Sequence, residues 1–175
     1  MSLNPEVPYV YNPAYHIKRG WRLQVIDTSL VTDFAAFRPG LVTIEQPSSL
    51  HQGTREFIYV QADALVHANA VVQRVDLSTT YNVEELKVAS SVAQVVGVAQ
   101  VEIAAGSFGW VLRKGNCTVV EGAGWGPNLP LIPDAGGTIG SAAVGTVSES
   151  GFGVVLTNTA GGAGTDQTVY IDCKG

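Results

Sequence analysis

Residues 95–115, VVGVAQVEIAAGSFGWVLRKG, constrain the fold of this chain more than any other stretch. Val96, Val98, Gln100 and Glu102 alternate with Gly97, Ala99, Val101 and Ile103, the period of two that a strand with two unlike faces imposes. Ala104, Ala105, Gly106 and Ser107 interrupt the run with small residues, as a tight connection requires. Phe108, Gly109, Trp110, Val111, Leu112 and Arg113 resume as a second strand that Lys114 and Gly115 end. Cys117, Thr118, Val119 and Val120 supply a third. The three runs predict a β-meander at the centre of an all-β domain, with no catalytic group inside it.

Strand patterns recur on both sides of that centre. Residues 18–27 carry Trp21, Leu23 and Val25 on one face; residues 41–45, 55–62, 70–75 and 77–81 follow, and 144–147, 151–157 and 167–173 close the chain. Residues 34–37 fit one helical turn capped by Thr32 or Asp33 and ended by Pro39 and Gly40. Residues 83–89 suit either a strand or a helical turn, because Glu84, Glu85 and Lys87 favour the latter. Residues 122–133, GAGWGPNLPLIP, are dense in turn formers and read as irregular. Short strands at this spacing without intervening helices predict an antiparallel β-sandwich or barrel, jelly-roll-like, over residues 54–175. Residues 1–53 read as an extended amino-terminal arm with little regular structure. There Pro5, Pro8 and Pro13 stand among Tyr9, Tyr11 and Tyr15 and imply an extended backbone, which is either disordered or anchored on another surface by its aromatic rings. Tyr9, Tyr11, Tyr15, Phe34 and Phe37 are the candidate contact residues.

Only 14% of residues are charged, against 46% hydrophobic and 20 glycines, which suits a surface partly covered by neighbours in an oligomer or lattice. The net charge of −5 and the scattered Lys and Arg argue against gripping nucleic acid or an anionic membrane surface. The first residues, MSLNPEVPYVYNP, have neither the basic start nor the apolar core of a signal peptide, so the chain is expected to fold in a cytosol. The most apolar stretch, 88–101, is broken by Ser90, Ser91 and Gln94 and is too short to span a bilayer as a helix.

The residue types that carry chemistry are dispersed. His16, His51 and His67 are remote in sequence from one another and from both cysteines. Glu84 and Glu85 would face opposite ways on a strand and read as a solvated edge. Residues 161–166, GGAGTD, match the start of a calcium-binding nonapeptide but occur once, where such a site needs tandem copies. Cys117 and Cys173 both lie in apolar runs and read as buried reduced thiols, with a disulfide between them as the alternative. No metal, no cofactor and no enzymatic activity are expected. Trp21, Phe57, Tyr59, Phe108, Trp110 and Tyr170 would line a sugar-binding face or fill a core. Their strand positions favour the core, and Trp110 and Val98 are expected to be buried.

The segments GTREFIYVQADALVHANAVV, VVGVAQVEIAAGSFGWVLRKG and TVSESGFGVVLTNT together resemble capsid decoration or cement proteins of tailed bacteriophages. In these a strand ending in GVA is followed by a connection and an aromatic-Gly-Trp-Val strand. The resemblance covers residues 53–175. It implies a β-rich domain on the outer surface of the head of a virion made in the host cytoplasm. The implied partners are the major capsid protein and further copies of the chain itself, a trimer being favoured, with the five contact residues facing the capsid. The competing reading is a carbohydrate-binding module, or a head fibre that touches the host surface.

Overall fold

The computed structural model describes residues 10–11, 27–47, 53–75, 81–86, 95–122, 131–133, 137–141, 153–155 and 164–173. These hold eleven strands and no helix: β1 (Val10–Tyr11), β2 (Val42–Glu45), β3 (Arg55–Ala62), β4 (Val71–Arg74), β5 (Asn82–Glu85), β6 (Val95–Ala99), β7 (Phe108–Val120), β8 (Leu131–Pro133), β9 (Ile139–Ser141), β10 (Gly153–Val155) and β11 (Asp166–Asp172). The all-β expectation holds. The expected strands over residues 18–26, 76–80 and 144–147 lie outside the described residues.

Nine strands form one sheet in the order β1-β2-β3-β5-β4-β6-β7-β11-β10, and an additional β3–β7 pairing closes part of it. On β3 the backbone N–H groups of Tyr59, Gln61 and Asp63 donate to Leu41, Tyr81 and Val83, so β2 and β5 lie end to end along one edge. The β7 ladder, with Ile58 opposite Val111 and Tyr59 opposite Trp110, takes the other edge. Strands β3, β5, β4, β6 and β7 thereby form a closed five-stranded ring, the barrel half of the sandwich-or-barrel expectation. Closure leaves no unpaired edge within the ring. The described sheet departs from a wholly antiparallel one at β3–β5, which is parallel. Strands β8 and β9 form a separate antiparallel pair.

Alternation decides which residues go where. Ile58 and Val60 of β3, Val72 of β4, Val83 of β5, Val96 and Ala99 of β6 and Val111 of β7 pack together. Every ring strand contributes, so this cluster fills the ring. The intervening residues Phe57, Tyr59, Val71, Trp110 and Leu112 pack on the outer face with Cys117, Val119, Val169 and Ile171. The ring strands are therefore buried on both sides, which explains the near-continuous apolar runs. Two glycines make the packing feasible. A Cβ on Gly109 would lie 2.8 Å from Cδ1 of Ile103, a residue of the inner cluster, and a Cβ on Gly97 would fall on the carbonyl oxygen of Leu112.

The expected three-stranded meander needs correction, because its second and third runs are one strand, β7. Lys114 and Gly115 do not end it. The register shifts so that Glu56 faces Lys114 while Phe57 faces Leu112, which leaves Arg113 unopposed in a bulge, and Gly115 adopts φ 120°. The strand also turns back. Val111 lies opposite Ala99, whose carbonyl bonds Asn69, while Val120 donates to that same Asn69. Nine residues of straight strand would span about 30 Å, so β7 bends strongly between these points. Gln100 holds the bend, its side-chain amide bonding the Thr118 carbonyl (3.1 Å) and N–H (3.3 Å).

Three further expectations change. Residues 34–37 form bends rather than a helical turn. The ambiguous stretch from 83 resolves as β5, and Glu84 is buried rather than solvated, taking a 3.1 Å bond from Gln73. Leu131–Pro133, within the stretch read as irregular, is strand β8. Strand β2 precedes residue 53 and pairs along β3 from Glu45–Arg55 to Val42–Ile58. The amino-terminal segment thus adds strands to the sheet.

Trp110 and Val98 are buried as expected, at 1% and 0% exposure. Trp110→Ala is predicted to cost about 3–5 kcal/mol in chemical denaturation, the loss typical of a large core aromatic. In a variant retaining Trp110 as its one tryptophan, iodide should quench the unfolded protein and spare the folded one.

Candidate contact surface

Two of the candidate contact residues, Phe34 and Phe37, lie on residues 27–41, which run as a strap over the outer face. The strap begins in a turn: Leu30 donates to the Asp27 carbonyl (3.2 Å), and the Ser29 N–H and hydroxyl both bond Asp27 Oδ1 (2.9 and 2.6 Å). It next meets the start of β7, where Thr32 and Phe108 exchange backbone hydrogen bonds of 3.0 and 2.7 Å. It ends at β3, with Gly40 donating to Tyr59 (2.7 Å) and Tyr59 to Leu41 (2.9 Å). Gly40 has φ 87°, and a Cβ there would enter the Tyr81 ring.

Between these attachments a relay of hydroxyls shapes the chain. The Thr32 hydroxyl donates to the Phe34 carbonyl (2.7 Å), which leaves its oxygen to accept from the Tyr59 hydroxyl (3.3 Å). The Ala36 N–H in turn donates to the Tyr59 oxygen (3.2 Å). Each hydroxyl proton is used once, and the turn over 32–36 is tied to a buried tyrosine. That geometry splits the two phenylalanines. The Phe37 ring turns inward, 5.3 Å from Tyr59 edge-on and 5.4 Å from Trp110, and Tyr59 lies 5.0 Å from Trp110. Phe34 turns outward and is 65% exposed. Phe37 thus packs on the chain's own core, while Phe34 is free to meet a partner. Tyr11 lies in β1 opposite Ile44, and Tyr9 and Tyr15 lie outside the described residues.

The residues that organise this surface, Tyr59 and Thr32, were not singled out for that role by the sequence. The available signal was a tyrosine on a strand buried on both faces, since a buried phenol needs a hydrogen-bond partner. Of the aromatic residues weighed as a sugar platform, Phe57, Tyr59 and Trp110 are buried, and Phe108 and Tyr170 are half-buried. Trp21 lies outside the described residues.

The other sequence candidates take structural positions. His67 is exposed, and its Nδ1 and backbone N–H meet Glu85 Oε1 at 2.7 and 2.6 Å. His16 and His51 lie outside the described residues. Glu121 is buried, with one carboxylate oxygen accepting from Gln167 (2.9 Å) and Thr165 (3.2 Å). Asp166, at the end of the GGAGTD stretch, accepts from Asn69 (3.1 Å). Among the described residues no group of three or more His, Cys, Asp and Glu is placed to hold a metal ion. Cys117 and Cys173 are free and buried. Burial raises both thiols, that of Cys173 to about 12, because a thiolate there would lose its hydration.

No family profile and no curated protein matches the sequence. A solved structure does share the fold: the head fibre gp8.5 N base of bacteriophage phi29, at a TM-score of 0.51 and 14% identity. The match covers 66% of this chain and 92% of that one, so nearly the whole of that base corresponds to part of this fold.

Two outcomes are expected here. Tyr59→Phe should destabilise the protein by about 0.5–1.5 kcal/mol, the worth of an ordinary hydrogen bond, and should speed amide exchange at Ala36. The thiols should be inert to a disulfide reagent at pH 8 in the folded protein, and both should react once it is unfolded. Because folding raises their pKa, their contribution to stability is complete below pH 9 and is lost as pH rises towards 12. Urea midpoints should accordingly fall across that window, and less so in a Cys173→Ala variant.

Proposed function

We propose that the chain is a structural protein of a tailed-bacteriophage virion, seated on the outside of the head, where it reinforces the capsid as a decoration protein. The observation that carries this reading is the fold it shares with the head-fibre base, which spans 92% of that chain. The resemblance of residues 53–175 to head decoration proteins points to the same place by a separate route. The physics of the molecule suits the role. A lattice protein needs a stiff body and a surface that others cover; the ring supplies the first, and the low charge content is compatible with the second. Self-association into a trimer on local three-fold positions would multiply weak contacts into a durable attachment.

The same neighbour favours a second reading, in which this fold is the base of a head fibre. Both readings seat the fold on a head; they differ in whether a host-contacting part is carried beyond it. A sugar-binding module is less well supported, since three of its candidate aromatic residues are spent on the core.

The test is co-sedimentation with heads assembled from the major capsid protein of the same virus, beside light scattering across a dilution series. Saturable binding at a fixed ratio to capsid subunits and a trimer mass are expected. Heads that sediment without the protein would overturn the reading.

A further inference from the structure

Three segments meet at one end of the ring. The Thr32–Phe108 bridge joins the strap to β7, and its antiparallel sense carries Phe34 towards the turn at Gly106. That turn is bound to the end of β3: Gly106 donates to Ala62 (2.7 Å), Ala62 to Ser107 (2.9 Å), and Gln61 Nε2 to the Gly106 carbonyl (3.2 Å). Val66 and Ile103 close the other side with bonds of 2.9 and 2.8 Å. The described residues include four large exposed hydrophobic side chains, and three of them, Leu30, Phe34 and Leu65, belong to these segments. Ala104 and Ala105, also exposed, fall in the stretch between the Val66–Ile103 and Thr32–Phe108 bridges.

The charge at this end is predominantly negative. The strap, 27–41, and residues 61–66 and 100–108 contain Asp27, Asp33, Asp63 and Glu102, all exposed, against one cation, Arg38, also exposed. Their net charge is −3, of −5 for the whole chain. Apolar groups set among an excess of carboxylates make a poor site for self-association, because a second copy would bring like charges within a Debye length of about 8 Å. They make a good site for a partner with the opposite rim.

We propose that this end of the ring is the docking surface, with Phe34 and Leu65 as anchors, for a protein surface bearing an apolar socket edged by Lys and Arg. This rests on the virion reading and names the face turned to the capsid. The turn over 32–36 is already held by Thr32 and Tyr59, so Phe34 is presented with little ordering cost left to meet on binding. The acidic rim sets approach and salt dependence, and the anchors set residence time.

The experiment is head co-sedimentation with the full chain and four variants: Phe34→Asp, Leu65→Asp, Asp63→Lys and, as control, Val75→Asp, the fourth exposed hydrophobic residue. All four positions are on the surface, and circular dichroism with a thermal midpoint reports folding. If Phe34→Asp misfolds, Phe34→Ser replaces it. Expected are losses of roughly ten-fold or more for the two anchor variants, a weaker salt dependence for Asp63→Lys, and wild-type binding for Val75→Asp. Wild-type protein that ignores heads would overturn the virion reading. Wild-type binding matched by Phe34→Asp and Leu65→Asp would overturn the docking surface and leave that reading standing. A fall in oligomer mass on Phe34→Asp, with head binding retained, would assign the surface to a second copy instead.

Discussion

The rest of the molecule depends on the pairing of β3 with β7. Without it β5, β4 and β6 would extend an open sheet. With it they close a ring whose strands satisfy one another's backbone groups. Both strands are buried on both faces: Ile58, Val60 and Val111 look inward, while Phe57, Tyr59, Trp110 and Leu112 look outward. A slip of one residue would exchange the two sets, forcing Tyr59 and Trp110 into a space filled by valine, isoleucine and alanine. The contacts at Gly97 and Gly109 indicate how little slack that space has, since one added carbon at either position meets an atom already in place. The register is therefore specified by volume as well as by hydrophobicity.

Closure also creates the need for the strap. A ring fills its own inside but cannot cover aromatic residues on its outside. That cover comes from Phe37 and Leu41 of the strap and from the β11 residues Val169 and Ile171. The bend of β7 brings the second of these into place, because the same strand that closes the ring then carries β11. Glu45, buried on β2, is engaged by Arg55 Nε at 2.6 Å, and the guanidinium also lies over Phe57, 5.2 Å from its centroid. A carboxylate inside the sheet is thus compensated by a cation that shares the same face.

Strand content was legible in the sequence wherever one residue type alternated with another. Residues 55–62 and 108–113 were read correctly for that reason, as was the burial of Trp110. The errors share a cause: local signals that tertiary contacts overrode. Lys114 and Gly115 look like a strand end, yet β7 has Glu56 and Asp172 to pair with and keeps going through a bulge. Thr32 looks like a helix cap, but its hydroxyl is committed to the Phe34 carbonyl two residues on and to Tyr59, which only the fold brings within reach. Glu84 looks solvated, and its burial follows from the β4–β5 pairing that sets Gln73 opposite it. The contact surface was partly legible. Phe34 could be named from the sequence, but its separation from Phe37 could not, since three residues on a bent strap have no fixed period.

A shared fold at 14% identity means that one backbone path is reached with mostly different side chains. What the path demands of this chain is what closure requires: alternation, small residues where strands approach, and bulky ones where the outer face must be filled. The surface is under no such constraint, so information about a partner concentrates there. That four exposed carboxylates and a single arginine, Arg38, lie on the strap and the two turns beside it is not needed for any part of the ring. Four like charges at one end cost some stability through mutual repulsion, and they are all exposed, where solvent reduces that cost without making it favourable. On the docking proposal, an approaching basic rim would turn that repulsion into attraction.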